Sequence, residues 1–397
     1  MLLHNLARPV VNVSYAFDRG ISGFSSFGFH VTNVVLHIVA VGLFYGWCTR
    51  ALTDERREAP DQRQVPEWGA FFAAGLFALH PVMSAAVGYV SGRSELLAAV
   101  GVLASLTYAR RAIVASNRTA GFLAGIFGTL AIASSSSAAA LPLLVLAYDA
   151  WVLRNPGWGL RAARIYAPAT LAVATAAGWY LTGIEIPNVP PRGIFENLLT
   201  GGLVVWRYLA LLVLPLGQSL VHQVHWVTTP LDPVALILLL ALAACVAFAI
   251  WKRRAQPLLA FGVIWFVGVL APTTSFIPVR DAMAEHRLYL ASAGLFLAVA
   301  ALVARSLATY RAARAALAVV LVVLGVVTYQ RNMLWADPMA LWEESVRRSP
   351  DAWQAHWGYG ELLREIGRCD RATPEYETVL RLNPGHRRAR AALDACR

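Results

Sequence analysis

Long apolar runs alternate with short arginine-bearing stretches along most of this chain. The runs fall at about 29–48, 68–88, 94–109, 120–133, 138–153, 165–181, 232–251, 257–275, 288–305 and 315–330. A helix needs roughly 20 apolar residues to cross about 30 Å of hydrocarbon, so these ten runs read as membrane spans. An eleventh, 194–215, is long enough but carries Arg207 in its middle. A lipid-facing arginine there costs about 3 kcal/mol, so this run is expected to be a re-entrant or interfacial helix. The predicted fold is all-α, a polytopic membrane helical bundle of about ten spans.

Composition agrees. Of 397 residues 58% are apolar and 14% charged, against about 25% charged in soluble domains. The net charge of +11 does not indicate nucleic acid, because Lys252 is the sole lysine and the arginines sit mainly between apolar runs. They read as topology signals.

Alternate loops differ sharply in basic residues. One set holds Arg50, Arg56, Arg57, Arg63, Arg110, Arg111, Arg118, Arg154, Arg161, Arg164, Lys252, Arg253, Arg254, Arg305, Arg311 and Arg314, sixteen in all. The other holds seven: Arg8, Arg19, Arg93, Arg192, Arg207, Arg280 and Arg287. The positive-inside rule makes the first set cytoplasmic. Residues 1–28 and everything after Tyr329 are then expected to face outward. Residues 1–28 show no charged start followed by an apolar core. Met1 is therefore expected to lie inside a longer frame with one upstream span missing; an N-out chain inserted through its first span is the alternative.

The expected organisation is an outward segment 1–28, a multi-span domain 29–330 and a helical tail 331–397. In the tail, Gly360, Gly367, Ala372, Tyr376, Leu380, Leu382 and Pro384 fall at tetratricopeptide offsets within the 34 residues Trp353 to His386. Asp337 to Pro350 reads as the second helix of a preceding repeat, and 387–397 begins another. Pro374 should kink or delay the second helix of the full repeat. So few repeats are marginal alone, and the tail is expected to dock on something. Cys48 and Cys245 lie in apolar runs and Cys369 and Cys396 in the tail. Their spacing supports neither a zinc site nor a disulfide framework.

Four outward stretches carry the chemistry. Arg8 to Asp18, with Phe27-Gly28-Phe29-His30, reads either as an interfacial segment with an aromatic anchor or as part of a site. His80, Arg93 and Glu95 place three ionisable groups around one short turn, and charges at a membrane edge are functional candidates. The run Ser134 to Ser137 reads as a polar hairpin whose hydroxyls return to carbonyls. In the stretch Phe276 to Leu290, Asp281 and Glu285 would share one helix face, flanked by Arg280 and Arg287. A surface salt-bridge cluster is the plain account. Carboxylates beside guanidinium groups would also suit a site that holds a phosphate while a hydroxyl proton is taken.

The order R-P-V-V-N-V-S-Y-A-F-D, F-G-F-H, A-L-H-P-V, V-S-G-R-S-E-L-L, L-P-L-L-V-L-A-Y-D, M-A-E-H-R-L-Y-L and a tetratricopeptide tail resembles membrane glycosyltransferases of the GT-C fold. It is similar to the transmembrane, tetratricopeptide-containing protein O-mannosyltransferases and their bacterial relatives, most specifically around Glu285-His286-Arg287-Tyr289-Leu290. The resemblance implies inverting transfer of mannose or another hexose from a polyprenyl-phosphate donor to an acceptor outside the cytoplasm, a protein above all. Its catalytic carboxylate belongs to a first extracytoplasmic loop, which would lie upstream of Met1. The family's His and Glu after H-P-V are Met83 and Ala85 here, and its Lys-Glu pair is Ser135-Ser136. Tyr148-Asp149 is retained at a cytoplasmic helix end, where it reads as a structural cap.

Expected donor-phosphate ligands are Arg8, Arg93, Arg280 and Arg287; His80, Glu95, Asp281, Glu285 and His286 are expected to order the sugar or acceptor. Asp281 and Glu285 are the carboxylates beside which a divalent cation would sit, although two carboxylates alone do not make a cation site. The other readings are a catalytically inactive membrane scaffold that binds a protein or peptide through its tail, and a transporter, which the absence of paired halves disfavours. The arginine-rich, lysine-poor, alanine-rich composition points to a bacterial inner membrane with a periplasmic tail, or in a eukaryote to an endoplasmic reticulum with a lumenal one.

Overall fold

A computed structural model describes residues 8–56, 66–154, 194–276 and 281–396. The expected span 165–181 and Arg280 lie outside the described residues. Sixteen α-helices are described: α1 Pro9–Ser22, α2 Ser26–Glu55, α3 Pro66–Leu79, α4 Ser84–Gly88, α5 Arg93–Ala115, α6 Arg118–Ile132, α7 Leu141–Ala147, α8 Ile194–Val213, α9 Pro233–Trp251, α10 Pro257–Ala271, α11 Leu288–Thr309, α12 Arg311–Trp335, α13 Pro338–Arg348, α14 Trp353–Glu365, α15 Cys369–Leu382 and α16 Arg387–Cys396. No strand occurs among the described residues. Eight helical segments among them are long and apolar enough to cross a membrane, or nine if α3 and the following Pro81–Gly88, bent by 49°, count as one span. This is a multi-pass integral membrane protein.

The packing follows from small residues where helices must meet closely. A Cβ on Gly262 of α10 would lie 2.3 Å from the Gly294 carbonyl of α11, and one on Gly294 would lie 2.6 Å from the Gly262 carbonyl. Backbone thus meets backbone, the small-residue solution used between membrane helices. Around that crossing Trp47, Phe261 and Trp265 are fully buried, with ring centroids 5.4–5.7 Å apart. Helix α2 runs 30 residues, to Glu55 rather than to about 48. Its extra turns carry Asp54 and Glu55, and both have partners on other helices. Arg110 donates to Asp54 at 2.5 and 2.6 Å, Tyr148 donates to it at 2.7 Å, and Glu55 accepts the Leu258 amide at 3.1 Å.

These contacts define an arginine-rich end of the bundle, to which the Arg154 donation to the Arg254 carbonyl at 2.7 Å also belongs. Arg8, Arg19, Arg93, Arg207 and Arg287 lie at the opposite, arginine-poor end. Helix α8 stays at that end throughout its length. Its Thr200 hydroxyl accepts the Val227 amide at 3.1 Å, Tyr208 donates to the Ala284 carbonyl at 2.9 Å, and the Leu212 carbonyl meets His80 Nε2 at 3.1 Å. All three partners sit at arginine-poor ends of other elements, so α8 lies along that face even though its length would let it cross. Arg207 donates to the Gln223 carbonyl at 3.0 Å, toward a connecting loop.

In the tail, α14 and α15 pack as an antiparallel pair around Tyr359, Leu363, Ala372, Tyr376 and Val379, with Ala389 and Leu393 of α16 closing the cluster. Two expectations are corrected here. Helix α15 begins at Cys369 and continues through Pro374 to Leu382, so the proline does not delay its start. Pro374 is the sixth residue of that helix, so it withholds one amide from the ladder and its ring faces the Asp370 carbonyl without ending the helix. Cys369 and Cys396 form a disulfide across 27 residues of sequence, with Cα atoms 5.3 Å apart. The helical hairpin makes that pair; no spacing motif announces it.

The tail docks on the loop between α8 and α9. Ser345 Oγ accepts the Val221 amide at 3.2 Å, Ser349 donates to the Val221 carbonyl at 2.8 Å and accepts the Gln223 amide at 3.1 Å, and Gln223 donates to Asp351 at 2.8 Å.

Candidate functional site

Three polar knots form at the arginine-poor end. The first is centred on Arg93, which is fully buried at the start of α5. It ion-pairs with Asp18 at 2.6 Å and donates to Asn33 Oδ1 at 2.9 Å and the Phe29 carbonyl at 2.8 Å. Tyr15 covers its guanidinium, 4.6 Å from ring centroid to Cζ. Arg93 is therefore no phosphate ligand: its charge is already neutralised, and it pins α1 and α2 to α5. Burial raises the Tyr15 phenol above its ordinary value, with the Arg93 charge opposing.

His80 is likewise corrected. Its Nδ1 accepts the Val82 amide at 3.3 Å and its Nε2 faces the Leu212 carbonyl at 3.1 Å. Both ring nitrogens serve backbone, capping the turn after α3, and neither is left for a sugar.

The second knot is Glu95. Its carboxylate is buried and accepts Ser135 at 2.6 Å on one oxygen and Ser137 at 2.9 Å on the other. Of the serine run, Ser134 returns to the Leu130 carbonyl as the hairpin reading expects. Ser135 and Ser137 do not; they hold a carboxylate 40 and 42 residues upstream. Arg8 donates to Ser94 at 3.1 Å, and Arg287 donates to the Asp281 carbonyl at 3.0 Å. Among the described residues neither arginine forms an ion pair with a carboxylate. His286 lies beside Tyr89, ring centroids 6.3 Å apart.

The third knot is Glu285, and here the expected helix face is absent. Residues 281–284 are not helical, Ala284 is extended, and only Glu285–Arg287 form a short 3-10 turn. The buried Tyr208 hydroxyl explains this, since it bonds both the amide and the carbonyl of Ala284 at 2.9 Å and holds the backbone straight. Asp281 is exposed, 3.4 Å from Gln354 of the tail. Glu285 is buried; it accepts the Ser219 amide at 2.7 Å, His222 Nε2 at 2.8 Å and Gln218 Nε2 at 3.0 Å. The two carboxylates therefore share no face. With both Glu285 oxygens occupied they do not fit a divalent cation, and among the described residues no group of three or more His, Cys, Asp or Glu could hold a metal ion. Glu285 instead fixes the loop on which the tail docks.

The structure thus places Arg8, through Ser94, beside Glu95, and His286 with Arg287 at the same arginine-poor end, while Arg93, His80, Asp281 and Glu285 are engaged in supporting contacts of their own. Sequence reasoning named the stretches that hold Asp18, Ser94 and Ser137 without giving these residues a role, and it missed Gln218, Ser219 and His222. The polar cluster Gln218-Ser219, His222-Gln223 and His225 in a loop between apolar helices was the available signal.

No family model and no solved structure matches the chain. Among curated proteins it is 23% identical to a protein O-mannosyl-transferase of Caenorhabditis elegans, over 96% of this chain and 54% of that one. It is 24% identical to the Tmtc3 protein O-mannosyl-transferase of Drosophila melanogaster and 22% identical to the TMTC1 protein O-mannosyl-transferase of Homo sapiens, over 96% of this chain and 48% of each relative. The chain spans about half the length of these relatives. Along nearly its whole length it is similar to the protein O-mannosyl-transferases, the family to which the order of its motifs points.

Proposed function

We propose that this chain carries the donor-binding part of a membrane glycosyltransferase that moves mannose or another hexose from a polyprenyl-phosphate donor to a protein acceptor outside the cytoplasm. One observation carries the reading: Arg8 and Arg287, neither in an ion pair among the described residues, lie at the arginine-poor end, where Arg8 donates to Ser94 beside the buried Glu95 at 3.1 Å and Arg287 follows His286 and donates to the Asp281 carbonyl at 3.0 Å. Two guanidinium groups that form no ion pair among the described residues, at the end of a membrane bundle, suit a lipid-borne phosphate, whose leaving charge they would stabilise. Glu95 and His286 then order the sugar. No residue of this chain is assigned as the base that deprotonates the acceptor. The orientation that serves this function places the arginine-poor end and the tail outside the cytoplasm, as the basic-residue imbalance supports.

A specific observation favours a second reading, a non-catalytic scaffold. Met83 and Ala85 are buried apolar side chains where the resemblance leads one to expect His and Glu. The deciding experiment reconstitutes the chain in liposomes with radiolabelled polyprenyl-phosphate mannose and an acceptor peptide. Consumption of donor by the wild type and a loss of at least tenfold in Arg287→Ala supports transfer at this site. Equal consumption by both proteins removes Arg287 from it. No consumption by either leaves the scaffold.

A further inference from the structure

The arginine-rich end holds a cavity that the proposed transfer leaves unused. Its volume is about 430 Å³ and its lining is Ala150, Trp151, Arg154, Arg253 and Arg254. Sites for small molecules are found at that size. Three of these side chains are guanidinium groups, and among the described residues no carboxylate joins them. Arg154 follows the helical segment Tyr148–Leu153 with a left-handed φ of 49°. Arg253 and Arg254 belong to the 3-10 turn Lys252–Arg254 that closes α9. The Arg154 side chain ties the two helix ends together, donating from Nε to the Trp151 carbonyl at 3.3 Å and from Nη2 to the Arg254 carbonyl at 2.7 Å. Arg253 donates to the Ile250 carbonyl at 2.9 Å.

Capping of bare helix-end carbonyls is the plain account of these arginines. It leaves most of the donors over. A guanidinium has five N–H groups; Arg253 uses one, and the Arg254 side chain forms no hydrogen bond or ion pair among the described residues. The carboxylates of neighbouring elements are engaged elsewhere: Asp54 holds Arg110 and Tyr148, and Glu55 accepts the Leu258 amide. Asp149 is buried and lies outside the lining.

We infer that this cavity binds the anionic phosphate headgroup of a membrane phospholipid in the leaflet at the arginine-rich face. Its level favours a lipid over a free ion. Arg254 is the last residue of the apolar segment Pro233–Arg254, and Arg154 directly follows the apolar segment Ser136–Leu153, both long enough to cross. The guanidinium groups therefore stand where two spans leave the hydrocarbon and headgroups begin. Arg154 and Arg254 are exposed, so the cavity opens to that layer. Lys252 marks the same level, its ammonium 4.5 Å from the Trp251 ring centroid and 5.7 Å from that of Phe248, as cations and tryptophans sit at a membrane interface. Guanidinium forks match phosphate oxygens, and basic pockets between spans suit anionic headgroups. The cavity binds whether or not the chain transfers sugar, since Arg8 and Arg287 lie at the opposite end.

The test counts phospholipid retained by the full chain, purified in a phosphate-free maltoside detergent, by native mass spectrometry after titration with phosphatidylglycerol. Phosphatidylcholine, whose headgroup has no net charge, is the control and inorganic phosphate the competitor. Arg254→Gln removes a side chain without a hydrogen bond, so its loss leaves the fold intact; Arg253→Gln with Arg254→Gln removes two charges. Arg111→Gln with Arg118→Gln removes the same charge from exposed positions outside the cavity. The wild type and the Arg111/Arg118 variant are expected to retain one phosphatidylglycerol more than the Arg253/Arg254 variant, at least five times longer, with Arg254→Gln between them and no difference for phosphatidylcholine. Equal losses in the two double variants would overturn the cavity in favour of diffuse charge. Binding of inorganic phosphate with no lipid retained would overturn the lipid as the source, and equal retention by all four proteins would overturn the site.

Discussion

The Arg93 guanidinium reaches the Asp18 carboxylate across 2.6 Å with both side chains buried, joining residues 75 apart in sequence. Asn33 and the Phe29 carbonyl complete the arginine's bonding, so the pair ties α1, α2 and α5 into one corner. Removing one member of a buried pair leaves an uncompensated charge and costs about 3–5 kcal/mol. Asp18→Asn and Arg93→Met are each expected to lower the melting temperature of the detergent-solubilised chain. Asp18→Asn combined with Arg93→Met should be less damaging than the sum of the two. Additive single effects would show that the pair is not coupled.

Arg8 and Arg93 make opposite predictions although both were candidate phosphate ligands. Arg8 is half-buried, holds one hydrogen bond to Ser94 at 3.1 Å and has no carboxylate partner among the described residues. Arg8→Ala should leave the melting temperature nearly unchanged and reduce use of a polyprenyl-phosphate sugar at least tenfold. A variant that unfolds like Arg93→Met while binding donor normally would reverse the assignment.

What could be read in the sequence was set by range. Helices α9, α10 and α11 announce themselves because an apolar run is a local property. For α8 the sequence offered one residue, Arg207, whose cost in lipid argues against a simple crossing, and the contacts of Thr200, Tyr208 and Leu212 at the arginine-poor end agree with that reading. The candidate site was harder. Arg8, Glu95 and Arg287 could be named because charges at the edge of apolar runs are conspicuous, but their division of labour depends on partners far along the chain. Arg93 looks no different from Arg287 until Asp18 is found beside it. Glu285 is claimed by Gln218, Ser219 and His222 from 63–67 residues away. The Asp281–Glu285 face failed because Tyr208, a distant side chain, holds Ala284 extended against local helical preference. The disulfide was hidden for the same reason.

That disulfide joins the first residue of α15 to the last of α16. Closing a loop of 27 residues restricts the unfolded tail by about 3.5 kcal/mol in the chain-entropy treatment. Cys369→Ser, or reduction by dithiothreitol, should therefore increase hydrogen exchange in α15 and α16 while leaving α10 and α11 protected. Unchanged exchange in α16 would show that the pair contributes nothing to the tail.

The tail should also lose stability toward alkaline pH. His356 Nδ1 lies 2.6 Å from Glu375 Oε2, and its Nε2 lies 2.9 Å from the Pro350 carbonyl. Both ring nitrogens face acceptors, which favours the doubly protonated ring. Hydrogen bonding to Glu375 raises the His356 value above the ordinary 6.5, with burial and the Arg381 charge opposing. A raised folded value means that the stabilisation is fully present below pH 6.5 and is lost as the pH climbs through the folded value. Exchange of the α14 and α15 amides, corrected for intrinsic rate, should therefore accelerate from pH 6 to pH 9, and His356→Gln should flatten that dependence. A wild-type profile as flat as the variant's would dismiss the charged pair.

Orientation yields the last prediction. The arginine-rich end carries Arg110, Arg111, Arg154, Lys252, Arg253 and Arg254, while the tail docks at the other end through Ser345 and Ser349. Basic loops are retained on the cytoplasmic side, so the tail should be the accessible part from outside. In a background with Cys48, Cys245, Cys369 and Cys396 replaced by serine, a cysteine at exposed Glu377 should react with a membrane-impermeant maleimide on intact cells. A cysteine at exposed Arg111 should react only after the membrane is opened. The reverse pattern would place Arg8 and Arg287 in the cytoplasm, where an acceptor exported from the cell never meets them, and the proposed transfer would fail whatever the chemistry of its residues.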